Sequence, residues 1–226
     1  MMLVIENVLN RQELEHMRTL LAQARWHDGR ETAGYAAMRQ KSNEQLRAQD
    51  EVAVRMGQVI LHALSGNARF ISFALPLKIL SPMFNCYRGG GEYGFHIDNA
   101  IRVDPLSGQR VRTDVSTTVF LNDPQEYEGG ELIINDTYGI ERVKLPAGHA
   151  VVYPGSSLHR VSPVTSGQRV ASFFWTQSMV QDDAQRAILF DLDQTIQQLA
   201  QKPDNAQDVT RLTGTYHNLI RQWAQT

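Results

Sequence analysis

The stretch GFHIDNAIR places His96 and Asp98 two positions apart, directly after the glycine-rich YRGGGEY. On an extended strand, residues i and i+2 point to the same face. An imidazole and a carboxylate at this spacing can therefore reach one small object. A surface pair is the plain alternative. If the object is a metal, a third ligand must come from elsewhere in the chain. Of the seven histidines, His16 and His62 fall on predicted helices, His27 follows the first of these, and His217 lies in the tail. The strand-rich middle supplies His96, His149 and His159. In YPGSSLHRVSPV, PGSS reads as a turn feeding a new strand, and His159 lies 63 positions after His96, ample chain to return alongside it. His149 follows PAG and can simply begin a strand; periodicity does not choose between the two. Two imidazoles and one carboxylate form the facial triad suited to non-haem Fe(II), with three positions left for co-substrate and oxygen.

The elements that must position these residues fall into three groups. LNRQELEHMRTLLAQARW predicts a helix capped at Asn10, with Glu13 three residues on and an apolar stripe of Leu14, Met17, Leu21 and Ala24. SNEQLRAQDEVAVRMGQVILHAL predicts a second helix, with Met56, Val59, Ile60 and Ala63 inward; HDGRETAGYAAMRQK between them reads mostly as loop. From residue 68 the period changes. ARFISFAL, ILSPMFNCYR, DVSTTVFLND, GGELIIND, IERVKL, HAVVYPG, LHRVSPV and QRVASFFWTQ are short strand candidates, many separated by Gly, Pro, Asn or Asp. Such a series predicts an antiparallel barrel or jelly roll. The tail returns to helical stripes, Ile188, Leu192, Ile196 and Leu199, then Val209, Leu212, Tyr216, Leu219 and Trp223, separated by KPDN. A helical hairpin appended to the barrel follows.

The chain of 226 residues, 42% apolar and 20% charged, fits one large domain with a small appendage. A formal net charge of -2 and no concentrated basic face give no nucleic-acid footprint. No stretch approaches the roughly 20 apolar residues of a membrane span, and MMLVIENVLNRQ lacks the pattern of a secretory signal. The single Cys86 forms no internal disulfide, which suits a cytoplasmic location.

Taken together, FNCYRGGGEYGFHIDNAIR, RTDVSTTVFLNDPQEYEGGELII, GHAVVYPGSSLHRVSPVTSGQRVASFFWTQS and RAILFDLD resemble the 2-oxoglutarate/Fe(II) dioxygenases, in their prolyl 4-hydroxylase-like branch and most closely the bacterial PKHD-type hydroxylases. The resemblance covers nearly the whole chain. It implies a mainly β fold: a double-stranded β-helix, or jelly-roll, core with N-terminal helices over residues 1–179, and a C-terminal helical hairpin over 180–226. It implies that His96, Asp98 and His159 are the catalytic iron ligands and that Arg169, ten positions after His159, grips the far carboxylate of 2-oxoglutarate. Arginine suits that task, being a planar, always charged fork. Some relatives use lysine there. Tyr87 can donate a hydrogen bond to the bound co-substrate or simply pack the core. Phe173 and Trp175 share the strand face of Arg169 and are expected to pack the barrel. Cys86 points the other way and is left out of catalysis.

The implied reaction is hydroxylation of a substrate C–H bond by Fe(II), 2-oxoglutarate and O2, coupled to conversion of 2-oxoglutarate to succinate and CO2. The resemblance also raises L-ascorbate as an accessory and a link to iron homeostasis; no residue pattern here speaks for either. The substrate class is a small molecule or a peptidyl side chain, with no nucleic acid and no membrane as partner, and the C-terminal helices offer a surface for homo-oligomerisation. The polar NAIRVDPLSGQRVRTD, with Arg102, Arg110 and Arg112, reads as a solvated or substrate-gating loop, and Arg88 can join the same rim. Two other functions compete: a cupin-like metal-dependent isomerase or hydrolase, which has no need of Arg169, and an iron- and 2-oxoglutarate-sensing protein without turnover.

Overall fold

The computed structural model describes residues 1–32, 40–136 and 139–225. The chain opens with strand β1 (Leu3–Ile5) and helix α1 (Arg11–Leu21). The Asn10 side chain accepts the Glu13 N–H at 3.0 Å, and the Glu13 carboxylate accepts the Asn10 N–H at 2.7 Å. This reciprocal cap satisfies two orphan donors of the first turn, and Met17 and Leu20 then face the core. Short strands β2 (His27–Asp28), β3 (Lys41–Ser42) and β4 (Glu44–Gln45) follow. Part of the loop expected between the first two helices, residues 33–39, lies outside the described residues.

The second helix, expected from Ser42, begins only at Glu51, as α2 (Glu51–Ser65). Sheet pairing captures the preceding residues: Glu44 and Gln45 pair with Cys86 and Asn85, while Lys41 and Ser42 pair with Tyr93 and Glu92. Tertiary pairing outweighs the weak helix preference of a polar stretch. ARFISFAL, expected as a strand, is helix α3 (Ala68–Ala74). The Asn67 side chain accepts the Phe70 N–H at 3.0 Å, and Leu75, at φ 43°, ends the helix in the left-handed region. A short apolar run carries no decisive period; at helical spacing Phe70, Phe73 and Ala74 all reach the core.

The strands that follow are β5 (Pro76–Ile79), β6 (Met83–Arg88), β7 (Glu92–His96), β8 (Ile101–Val103), β9 (Arg110–Arg112), β10 (Val115–Phe120), β11 (Tyr127–Gly129), β12 (Leu132–Asp136), β13 (Gly139–Val143), β14 (Ala150–Pro154), β15 (Leu158–Val161) and β16 (Val164–Ser178). The larger antiparallel sheet runs β1-β14-β10-β16-β6-β4-β2, with β5 and β11 also on β16; the smaller runs β13-β12-β15-β7-β3. This is the double-stranded β-helix. The stretch read as a loop over 99–114 contains the separate hairpin β8–β9. Strand alternation divides the interior. Cys86, Val152 and Val170 pack outward among Met56, Ile60 and Phe70 of the helices. Their neighbours Tyr87, Val151 and Tyr153 pack inward with Leu132, Ile134 and Val161 of the smaller sheet. Covered on both faces, β10 is buried at every position.

The tail forms α4 (Asp183–Ala200) and α5 (Ala206–Trp223). Phe190 meets Phe73 edge-on at 5.3 Å, and Ser72 donates to Asp193 at 2.6 Å, docking α4 on α3. Ile188, expected on the inward stripe, is 52% exposed. The buried positions are Arg186, Leu189 and Phe190, because α4 must present one side to α3 and another to α5. Tyr216, Leu219, Ile220 and Trp223 of α5 pack on Leu75, Val180 and Leu189. No helix among the described residues is long and apolar enough to cross a membrane.

Candidate active site

Pairing of β7 with β15 sets His96 directly opposite His159, with ring centroids 4.2 Å apart. Asp98 lies two residues past the end of β7, in a segment outside the sheet pairing, so the strand itself does not deliver it. One ligand atom from each of His96, Asp98 and His159 can be chosen so that all lie within 4.8 Å of one another. His159 Nε2 is 3.9 Å from Asp98 Oδ1. The rival His149 sits immediately before β14 and outside this cluster.

The rings are oriented by their own backbone. His96 Nδ1 lies 2.8 Å from the Gly94 carbonyl and His159 Nδ1 lies 2.9 Å from that of Ser157. A carbonyl only accepts, so each Nδ1 carries the proton and each Nε2 is left as a donor to a metal. Burial, and then the charge of His159, lowers the His96 pKa to about 4, which keeps the imidazole neutral, as ligation requires. Asp98 Oδ2 is buried without a hydrogen-bond partner among the described residues. A divalent cation would satisfy it. The donor set fits Fe(II).

Arg169 and Tyr87 come from the opposite sheet, where β16 and β6 pair them as cross-strand neighbours. Both are 1% exposed and line the cavity that holds the triad. The Arg169 guanidinium lies 5.4 Å from the Tyr87 ring centroid and 5.1 Å from that of Phe120, and its Nε has no hydrogen-bond partner among the described residues. No ion pair to it occurs among them either. A buried cation so placed calls for an anion. Gly130 makes room for it: at φ 64°, a Cβ there would come within 3.1 Å of Arg169 Cδ and 2.9 Å of the Tyr127 ring. Burial raises the Tyr87 pKa, against the opposing charge of Arg169, so its phenol stays a donor.

Phe173 and Trp175 line the same cavity, as their alternation with Arg169 predicts. Of the other arginines among the described residues, only Arg102 does so. Arg112 pairs with Asp114 at 2.6 Å, Arg88 pairs with Glu44 at 2.7 Å, and Arg110 is exposed. Sequence reasoning missed Lys41, Tyr93 and Tyr153. Tyr93 stacks on His96 at 3.6 Å, and its burial pushes its pKa up to about 12. Lys41, 7% exposed, has its pKa lowered to about 8 by burial and then by Arg102. Tyr93 and Tyr153 could have been found by their nearness to His96 and by alternation with buried Val152; Lys41 carried no local signal.

Comparisons agree with this geometry. Residues 82–177 match the model of the 2OG-Fe(II) oxygenase superfamily, and residues 183–225 match that of the PKHD-type hydroxylase C-terminal domain. A PKHD-type hydroxylase of Saccharophagus degradans is 53% identical over 226 residues, covering all of both chains. Among solved structures, a Pseudomonas putida prolyl-4-hydroxylase superposes with a TM-score of 0.50 at 22% identity, over 78% of this chain and 92% of that one. HygX of Streptomyces hygroscopicus, with nickel, 2-oxoglutarate and hygromycin B bound, gives 0.53 at 16% identity, over 78% and 82%. The two structural likenesses concern the fold.

Proposed function

Because this chain belongs to the PKHD-type hydroxylases of the 2-oxoglutarate/Fe(II) oxygenase superfamily, we propose that His96, Asp98 and His159 hold the iron and that Arg169 and Tyr87 receive 2-oxoglutarate. Membership sets the overall reaction: the protein is an Fe(II)- and 2-oxoglutarate-dependent hydroxylase. Bound here, iron with 2-oxoglutarate and O2 supplies the hard chemistry, hydroxylation of a C–H bond coupled to release of succinate and CO2. The chain supplies position and shelter. The Gly94 and Ser157 carbonyls hold the two imidazoles in the ligating tautomer. The Arg169 fork takes the remote carboxylate of the co-substrate, and the protonated Tyr87 phenol donates beside it. Tyr93, Phe173 and Trp175 wall the cavity against water.

One observation carries this reading: three convergent donors share a cavity with a buried guanidinium that has no acidic partner among the described residues. A cupin-like isomerase or hydrolase would have no use for Arg169. The substrate is a small molecule or a peptidyl side chain; the hygromycin B complex and the prolyl-4-hydroxylase among the structural neighbours illustrate the two classes. The same reading treats residues 1–179 as the oxygenase domain and 180–226 as its helical extension, a surface for self-association. It places the protein in the cytoplasm, with no nucleic-acid partner and L-ascorbate as an accessory reductant.

The test is iron content under anaerobic conditions. His159→Ala should lose most bound Fe(II) while keeping the wild-type circular dichroism, and His149→Ala should keep its iron. Wild-type stoichiometry and affinity in His159→Ala would overturn the assignment.

A further inference from the structure

Strand β8 of the hairpin β8–β9 is built inside out, whereas β9 buries Val111 and exposes Arg110 in the ordinary way. On β8, Ile101 and Val103 are 63% and 59% exposed, whereas Arg102 between them turns inward to line the active-site cavity. Burying a cation while leaving two aliphatic side chains in water is the reverse of what strand alternation ordinarily achieves. The inward arginine is placed with care. Its guanidinium lies 4.4 Å from the Trp175 ring centroid, and Trp175 is buried on β16. A flat guanidinium held on an aromatic face keeps its N–H edge available to a planar anion. No ion pair or hydrogen bond of the Arg102 side chain occurs among the described residues.

The charges of the cavity show what is missing. Among the described residues, its lining contains Lys41, Arg102 and Arg169 against one carboxylate, Asp98. Under the function proposed above, Asp98 is committed to iron and Arg169 to the remote carboxylate of 2-oxoglutarate. The Fe(II) ion and the doubly charged co-substrate cancel. Asp98 is the one carboxylate of the lining that acts on Arg102, and once that carboxylate is shared with the iron the cavity keeps an excess positive charge at Arg102, whatever Lys41 does. Ile97, 58% exposed, lines the same cavity.

We propose that Arg102 is a specificity-determining residue, and that it selects a substrate carrying an anionic oxygen group, a carboxylate or phosphate, on an apolar body that lies toward Ile97. The anion docks on the Arg102 edge exposed over Trp175. The body covers apolar surface that otherwise faces water. The hydroxylated carbon then lies between this anchor and the triad. Arg102 touches the substrate and not the co-substrate, so its removal changes what binds without changing how 2-oxoglutarate binds.

The proposal rests on the oxygenase reading, and two separate readouts keep them apart. The visible absorption of the anaerobic Fe(II)–2-oxoglutarate complex reports the reading of the site. Titration calorimetry in excess 2-oxoglutarate reports the Arg102 anchor, using hexanoate and hexyl phosphate as anionic probes and hexanamide as the neutral one. For the wild type, one of the anionic probes should bind at least about tenfold more tightly than hexanamide, the value of one charge-assisted hydrogen bond. Arg102→Gln should abolish that preference, Arg102→Lys should retain much of it, and both should keep wild-type 2-oxoglutarate affinity. The better anionic probe decides between carboxylate and phosphate. Equal binding of all three probes to the wild type overturns the proposal, as does an anion preference that survives in Arg102→Gln. A collapse of 2-oxoglutarate affinity in Arg102→Gln would overturn it too, by making Arg102 a co-substrate residue. Failure of the absorption band to form would instead count against the iron reading, while the calorimetric comparison would still decide the anchor.

Discussion

Arg169→Met removes a charge while keeping much of the side-chain volume between Tyr87 and Phe120. In the wild type this guanidinium is 1% exposed, so the charge it offers a carboxylate is poorly screened by water. Losing one partner of a buried, hydrogen-bonded charge pair costs about 2–5 kcal/mol. At about 1.4 kcal/mol per factor of ten, this is a rise in the 2-oxoglutarate dissociation constant of roughly thirty-fold to several-thousand-fold. The same number has a thermal counterpart. At a concentration about 100 times the wild-type dissociation constant, 2-oxoglutarate stabilises the native state by about 2.7 kcal/mol. For a chain of this size that raises Tm by roughly 5–11 °C; in Arg169→Met the same concentration should give a shift of at most about half that. The assay is anaerobic titration of Fe(II)-loaded protein, with iron content measured in every sample and the thermal shift run in parallel. Iron stoichiometry should stay at the wild-type value, because the three donors do not touch this side chain. Equal 2-oxoglutarate affinity and equal thermal shift in the two proteins would refute the assignment and move attention to Arg102 or Lys41.

Two further substitutions probe the support of the site and of the tail. Gly130→Ala forces a left-handed φ of 64° on a residue with a Cβ and presses that atom toward Tyr127, Val164 and the Arg169 stem; a loss of about 1–2 kcal/mol in urea unfolding is expected, together with weaker 2-oxoglutarate binding, and unchanged values of both would show that this glycine is not needed. Arg186, 4% exposed, donates to the carbonyls of Val180 and Gln181 at 2.7 and 2.8 Å and pairs with Asp183. Arg186→Ala leaves those carbonyls short of a donor and should cost about 2–4 kcal/mol, with α4 and α5 becoming the first segment cleaved in limited proteolysis; a wild-type digestion pattern would mean that the hairpin is held by its apolar contacts alone.

The sequence made some of this legible and hid the rest for definite physical reasons. The Asn10 and Glu13 cap is a local interaction, and local chemistry can be read locally. Arg169, Phe173 and Trp175 were placed on one face by the period of a strand, and they do line one cavity. His159 over His149 was different. What selects it is the register of β15 on β7, fixed by distant pairing that no window of sequence contains. The opening pair shows a subtler limit. His96 and Asp98 do converge, yet β7 stops at His96, so Asp98 arrives from the unpaired segment after the strand and the strand argument explains only part of that convergence. ARFISFAL went wrong because a short aromatic run suits either period, and the cap at Asn67, four residues ahead of Ile71, decided it. Lys41 was invisible because it closes a stretch that reads as loop, with no strand period to give its side chain a face.

That last miss exposes how the site is assembled. The proposed iron donors belong to the smaller sheet and the segment that follows β7, while Arg169 and Tyr87 belong to the larger one. Neither sheet alone holds a complete site; their closure creates it. Strands β3 and β4 span that closure within five residues. Lys41 and Ser42 pair with β7, the strand of His96, and Glu44 and Gln45 pair with β6, the strand of Tyr87. Lys41, Asn43 and Gln45 all line the cavity between the two sheets. A helix through this stretch would leave one edge of each sheet unpaired and open the wall of the cavity, which is why its polar residues are drawn into strands in spite of their local preference. The N-terminal segment is therefore part of the cavity wall, and Lys41, Asn43 and Gln45 share that cavity with Arg102, His96, Asp98 and His159.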